Sequence, residues 1–300
     1  MRPTSEWQQW NSALLSILTH SEIHKGMTDK RKVLVTGASG YIAGRMLPAF
    51  RDRYDLVLLD VNTTNRDNER VDGVQIADLT DPDRDAYRRY FNGIDAAVHC
   101  AFKRGGFENE LANVQMAYNV YQTCLEEDIR RVVVCSSNHA ADYYERLIWA
   151  DEWDFVTPEM RPLSDNFYGW AKEAYEHLGF VFAAGHANGK KLQNVQLRIG
   201  APRETILDEV QPSKLKRIHR GLGAYLSARD QTQLFIKSIE TENIEDENGV
   251  PFQIFYGISG NSHGFWSIVN ARKIIGYEPE DNSAIKFAER IAELMADSKS

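Results

Sequence analysis

From Lys32 onward, short apolar runs alternate with amphipathic stretches of helical period, and that alternation leaves the chain few architectures to choose from. The runs read as strands at Lys32–Thr36, Asp55–Asp60, Val74–Ala77, Ala96–Cys100, Arg131–Ser136 and Asn194–Ile199. Helical patterns fall near 42–52, 82–91, 108–127 and 167–187, between the strands. A strand covered on both faces by helices reads as a continuous apolar run, as Val132-Val133-Val134 does. Strand and helix in turn therefore predict an α/β chain with a parallel sheet between two helical layers. After Ile199 the alternation breaks down. Residues 201–225 carry loop chemistry and a basic cluster, followed by a helix near 228–241, a strand over Phe252–Gly257, and helices near 267–275 and 283–296.

Composition narrows the partners. The formal net charge is −8, and an acidic chain is repelled by nucleic acid and by anionic membrane surfaces. No apolar run approaches the roughly 20 residues that span a bilayer. The stretch Ala13–Leu18 lacks the basic flank and cleavage site of a secretory signal. Cys100, Cys124 and Cys135 have no metal-type spacing, and Cys100 and Cys135 each end an apolar run, so they read as buried thiols. The expected setting is cytoplasmic and reducing, and no metal site is expected.

The first strand runs into Thr36-Gly37-Ala38-Ser39-Gly40-Tyr41-Ile42-Ala43-Gly44. Gly37 and Gly40 permit a tight turn and a close approach of backbone to a pyrophosphate, and the small Ala43 lets the next helix pack against the sheet. That helix aims free N–H groups and a positive dipole at the phosphates. The second strand ends in Asp60, twenty residues beyond Gly40, where a carboxylate accepts from both adenosine ribose hydroxyls and repels a 2′-phosphate. The pattern predicts a Rossmann-type doubly wound sheet that binds NAD rather than NADP. Asp78-Leu79, after the third strand, suits the adenine edge. The expected division is an N-terminal extension over 1–28, an NAD-binding core over 29–200, and a small substrate-binding lobe with packed helices over 201–300. Within the extension, Trp7, Trp10, Leu14, Leu15 and Leu18 recur at helical spacing and predict a short amphipathic helix.

Tyr168-Gly-Trp-Ala-Lys172 opens a helical segment, and a spacing of four puts both polar groups on one face. A free phenol titrates near about 10 and is a poor base at neutral pH, whereas an ammonium one turn away favours the phenolate. Ser136-Ser137 ends the fifth strand, at the edge of the sheet that faces the ligand crevice, where a serine hydroxyl can orient a reacting oxygen toward the tyrosine.

In these motifs the chain resembles the extended short-chain dehydrogenase/reductases, the NAD-dependent epimerase/dehydratase family. The resemblance runs from about Lys32 to Met295, through TGASGYIAG, VHCA at 98–101, Asn113-Val114 to Asn119-Val120, SSNH at 136–139, YGWAK and LRIG at 197–200. It implies a catalytic set of Ser137, Tyr168 and Lys172. It also implies an NAD site lined by Tyr41, Ile42, Asp60, Asp78, Leu79, Cys100, Ala101, Phe102, Asn113 and Ile199, beside Gly37 and Gly40. Dimers through two long helices are usual in the family, so a homo-oligomer is expected.

Within the family, Ser-Ser-Asn-His at 136–139, Arg220 to Asp230, Tyr256 to Ser259, Trp266 and Gly276 to Pro279 resemble the sugar 1-dehydrogenases, such as uronate dehydrogenase and the haloarchaeal NAD-dependent glucose-6-phosphate dehydrogenase. That branch implies that Asn138 and His139 contact a sugar. Arg220 matches an arginine that binds a substrate carboxylate there, and a guanidinium fork also suits phosphate or sulfonate. Ala201 departs from the branch, which places a substrate-binding serine there. So do Lys103-Arg104, in a turn that is neutral and small in uronate dehydrogenase, and the aromatic-rich stretch with Trp149, Trp153 and Phe155. The expected reaction is oxidation of a sugar at C1 to its lactone, with Tyr168 as general base. The alternatives are a nucleotide-sugar epimerase or dehydratase using bound NAD, and a non-catalytic NAD-sensing regulator.

Overall fold

The computed structural model describes residues 30–208 and 210–297; the helix expected within 1–28 lies outside them. Strands β1 (Lys32–Thr36), β2 (Asp55–Asp60), β3 (Val74–Ile76), β4 (Ala96–His99), β5 (Arg131–Ser137), β6 (Gln193–Ile199) and β7 (Phe252–Gly257) form one sheet in the order β3-β2-β1-β4-β5-β6-β7. Every pairing is parallel. Around it stand α1 (Tyr41–Arg53), α2 (Asp85–Arg88), α3 (Phe107–Glu126), α4 (Glu145–Trp149), α5 (Phe167–Ala184), α6 (Leu215–Ala224), α7 (Ala228–Glu240), α8 (Val269–Ile275), α9 (Ser283–Lys286) and α10 (Ala288–Asp297).

The continuous apolar runs have a direct physical reason. Successive strand residues point to opposite faces, and here both faces are core. Val33, Val35, Val98 and Val133 pack with Met46 and Phe50 of α1 and with Leu234 and Phe235 of α7. Leu34, Ala97, Val132 and Val134 pack on the other side with Val120 and Tyr121 of α3 and with Tyr175 and Phe182 of α5.

Two helices differ from the sequence-based expectation. Residues 201–225 are not wholly loop, because α6 occupies Leu215–Ala224. Ile218 and Leu222 turn inward onto Ile206, Leu207, Val210 and Ile291, while the basic side chains that mask this periodicity lie on the outer face. The aromatic-rich stretch after β5 is a 3₁₀ segment, Asn138–Tyr144, running into α4. Helix α5 ends at Ala184, short of the expected 187, where the Gly185 N–H donates to the Val181 carbonyl. Residues 201–297 are joined to the sheet itself, since β7 pairs with β6 along its length. Among the described residues no helix is long and apolar enough to cross a membrane.

Strand order fixes where a ligand goes. From β1 the chain proceeds to β2 and β3 on one side, then crosses to β4 on the other, so a crevice opens above the carboxyl ends of β1 and β4.

Candidate functional site

At the mouth of that crevice the β1–α1 turn is shaped by space as much as by sequence. Gly37 has φ +67°, and a Cβ on it would stand 2.6 Å from the Ala101 nitrogen and 2.7 Å from the Cys100 carbonyl carbon. The ends of β1 and β4 thus touch where any side chain would wedge them apart. A Cβ on Gly40 would meet the Gly37 oxygen at 2.9 Å. Gly40 caps α1 with no side-chain acceptor, so the first N–H groups of the helix remain available to an anion. Asp60 steadies the turn: its carboxylate accepts from the Ser39 N–H at 2.9 Å and from the Asn62 N–H at 3.1 Å. A cradle that a Cβ would fill, a helix N-terminus and an acid at the end of β2 together fit a dinucleotide.

The turn forms one wall of a cavity of about 1310 Å³. The opposite wall comes from the end of β5 and the start of α5. Asn166 caps α5 by accepting from the Gly169 N–H at 2.9 Å, which sets Tyr168 in the first turn with Lys172 one turn on. Gly169 is required by contact, because a Cβ there would collide with Ser164 Oγ and the His139 carbonyl. That closeness brings the Tyr168 ring to 5.6 Å from the His139 ring and 5.3 Å from Phe102, both edge-on. Lys172 is buried; its Nζ donates to the Cys135 carbonyl at 3.0 Å and stands 5.6 Å from the centre of the Tyr168 ring.

Ser137 ends β5 and caps the 3₁₀ segment, its Oγ accepting from the His139 N–H at 3.2 Å. His139 Nδ1 lies 2.8 Å from Asp142 Oδ2, which also accepts from Asn166 Nδ2 at 2.9 Å. Burial works against ionisation of Asp142, but His139 and the hydrogen bonds from Ser164 and Asn166 outweigh it and hold the carboxyl below its usual range. The carboxylate on Nδ1 fixes the ring's orientation.

Beneath the site runs a buried polar chain. Ser136 Oγ donates to Glu176 at 2.8 Å; Arg198 grips the same carboxylate through Nε at 2.8 Å and Nη2 at 2.7 Å, and donates to Tyr256 Oη at 3.0 Å. Under β4, His99 pairs through Nδ1 with Thr36 Oγ1 at 2.8 Å. Burial first, then the charge of Lys172, push its pKa down to about 3, so it stays neutral.

All the sequence-predicted cofactor residues except Asn113 line the cavity, as do Ser137 and His139. Asn113, Asn138 and Arg220 are not among the lining residues. Asn113 lies beneath, accepting from the Lys103 N–H at 2.8 Å and donating to the Lys103 carbonyl at 2.9 Å, which pins the loop carrying Ala101 and Phe102. Asn138 is buried behind Ser137, with its Nδ2 unpartnered among the described residues. Arg220 donates from Nε to Glu145 at 2.7 Å and lies over Trp266. Sequence reasoning left Arg66, Pro202 and Arg203 unassigned, yet all line the cavity; so do Cys100 and Cys135, partly exposed there rather than buried as their apolar runs suggested. Arg66 reaches it by stacking on Tyr41, 4.0 Å from the ring centre, a contact between a loop and a helix that no local pattern announces. Lys103, Arg104 and Arg203 bring exposed positive charge to the same cavity, and none of them is in an ion pair among the described residues.

Residues 33–221 match the family model described as the NAD dependent epimerase/dehydratase family. A relative from Haloferax volcanii, named NAD-dependent glucose-6-phosphate dehydrogenase, is 30% identical over 84% of this chain and 94% of its own. Uronate dehydrogenase of Pseudomonas syringae pv. tomato is 27% identical over 87% of this chain and 86% of its own. Among solved structures, a mutant uronate dehydrogenase from Agrobacterium tumefaciens complexed with NAD superposes with a TM-score of 0.70 at 21% identity. That match covers 88% of this chain and 90% of that one, and shows a shared fold.

Proposed function

The chain belongs to the NAD dependent epimerase/dehydratase family, and from that premise we propose that it is an oxidoreductase that oxidises a sugar at C1 to the lactone. The observation that carries the reading is the convergence of Ser137, His139, Tyr168 and Lys172 on the cavity that also holds the Gly37 turn and Asp60. The names of the relatives support a sugar as the substrate.

In this reading Asp60 holds the adenosine ribose, the turn at 37–40 receives the pyrophosphate, and Lys172 holds the nicotinamide ribose. Bound NAD supplies the hydride acceptor. Ser137 Oγ has only a long 3.5 Å contact to Asn138 Oδ1 for its hydrogen, which is thus free to reach the anomeric oxygen. Tyr168, as phenolate, takes the proton from that oxygen, with the Lys172 ammonium stabilising the charge it carries beforehand. Proton transfer to a positioned base contributes roughly 10²–10⁴-fold. His139 Nε2 accepts from a sugar hydroxyl, and its fixed orientation lowers the entropic cost of alignment.

Arg220 is engaged by Glu145, so an anionic group on the sugar would meet Lys103, Arg104 or Arg203 first. The exposed Phe107, Leu111 and Tyr118 of α3 and Phe167, Trp170 and Phe180 of α5 support a homodimer through these two helices.

The test is an NADH-absorbance screen over neutral aldoses, uronates, sugar 6-phosphates and sulfosugars. At least one class should give steady NADH. Tyr168→Phe should reduce that rate by about 10³-fold while NAD binding persists. Sugar conversion without NADH accumulation would identify an epimerase, and full turnover in Tyr168→Phe would remove the base from the mechanism.

A further inference from the structure

We propose that Cys100 and Cys135 form a dithiol on the cavity floor that closes reversibly to a disulfide, a modification site inside the cofactor cleft. Strands β4 and β5 pair His99 with Val134, so the next residue on each, Cys100 and Cys135, lie side by side. Residues in register on parallel strands send their side chains to the same face, and both cysteines line the cavity. Cys135 Sγ donates only a long contact, 3.8 Å, to the Ser136 carbonyl. Both cysteines keep partial exposure, whereas Cys124 is fully buried in the core behind α3.

The Lys172 ammonium, held on the Cys135 carbonyl at 3.0 Å, favours the thiolate form of both Cys100 and Cys135. Cys135, whose carbonyl carries Lys172, is taken as the nucleophile and Cys100 as the resolving thiol. With hydrogen peroxide as oxidant, the Cys135 thiolate attacks one oxygen and the O–O bond breaks. Hydroxide leaves and is protonated to water, and Cys135 becomes a sulfenic acid. The Cys100 sulfur then attacks the Cys135 sulfur, forming S–S, breaking S–O and releasing a second water. Two electrons and two protons pass from the thiols to the peroxide.

Closure has a structural consequence. Neighbouring strands run about 4.8 Å apart, within the Cα separation of about 4.4–6.8 Å that a disulfide spans. Cys100 has no slack, since Gly37 packs against its carbonyl carbon. Any adjustment as the sulfurs turn toward each other therefore falls on Cys135, whose carbonyl oxygen holds Lys172 Nζ. A shift of about 1 Å in a positioning group costs roughly 10²-fold in turnover. The bond itself does not depend on the proposed function; the loss of turnover rests on the role given to Lys172.

The experiment treats the full-length protein with hydrogen peroxide, with and without saturating NAD, then alkylates free thiols and maps peptides. A Cys100–Cys135 linked peptide should form, with Cys124 alkylated, and NAD should slow it by covering the thiols. NADH formation should fall by about 10²-fold and return with dithiothreitol. Cys100→Ser and Cys135→Ser, each measured against its own untreated sample, should lose the linkage and the reversible response, while Cys124→Ala keeps both. Oxidation of either thiol singly, or a link through Cys124, overturns the dithiol, and a linked protein with full turnover overturns its effect on Lys172. A linked peptide in a protein that oxidises no sugar even when reduced supports the dithiol and counts only against the sugar-dehydrogenase reading.

Discussion

At the scale of single residues, His99 shows how the site depends on a group that does no chemistry there. It sits at the end of β4, between the β1–α1 turn and Lys172, neutral and tied to Thr36. Its folded pKa of about 3 lies far below the value near 6.5 of an unfolded histidine. Between these limits the unfolded chain binds a proton that the folded chain refuses. The stabilisation is therefore complete above pH 6.5 and is lost as pH falls toward 3, at about 1.4 kcal/mol per pH unit for one proton. Urea unfolding at pH 7, 6 and 5 should show that decline, and His99→Gln, which keeps a partner for Thr36, should remove one proton's worth of the slope. An unchanged slope in the variant would place the titration elsewhere. Sequence could not disclose this residue, because its environment is made by contacts 63 positions apart. Tyr168 and Lys172 were legible because helical spacing alone puts them on one face, and Asp60 because it closes a strand. Arg220 was singled out by its match to a substrate-binding arginine, but its partner Glu145, 75 positions earlier, could not be read from the sequence.

At the scale of elements, strands and helices differ in how plainly they declare themselves. The central strands are buried on both faces, so their runs have no competing reading. Helix α6 was hidden because lysines and arginines interrupt the Ile218 and Leu222 stripe, and the Asn138–Tyr144 segment has too few residues to show a period. The register of α5 on the sheet is held by a buried ion pair between its Glu176 and Arg198 of β6, both almost fully inaccessible. Removing one partner of such a pair leaves a buried charge uncompensated, at about 3–5 kcal/mol. Glu176→Gln should lower denaturant stability by that amount, and adding Arg198→Met should restore much of it, since two neutral groups carry no such penalty. A double variant as unstable as the single one would show that the pair stabilises by attraction rather than by mutual neutralisation.

At the scale of the whole molecule, the candidate site is a product of topology. Gly37, Cys100, Ser137 and Ile199 stand at or just beyond the carboxyl ends of four adjacent strands, and only the order β1-β4-β5-β6 makes them neighbours. The alternation of elements predicted the sheet, and the rule that ligands bind beyond its carboxyl edge predicted the crevice. Neither could supply the side-chain contacts that draw Arg66 into the cavity or hold Arg220 on Glu145. The central claim, that this cavity takes hydride from C1 of a sugar while Tyr168 takes the proton, is tested most directly with an aldose carrying deuterium at C1. The account predicts that each turnover delivers that deuterium to the nicotinamide of the NADH formed and yields one lactone. NADH free of the label, or a sugar changed in stereochemistry with no NADH released, would contradict it.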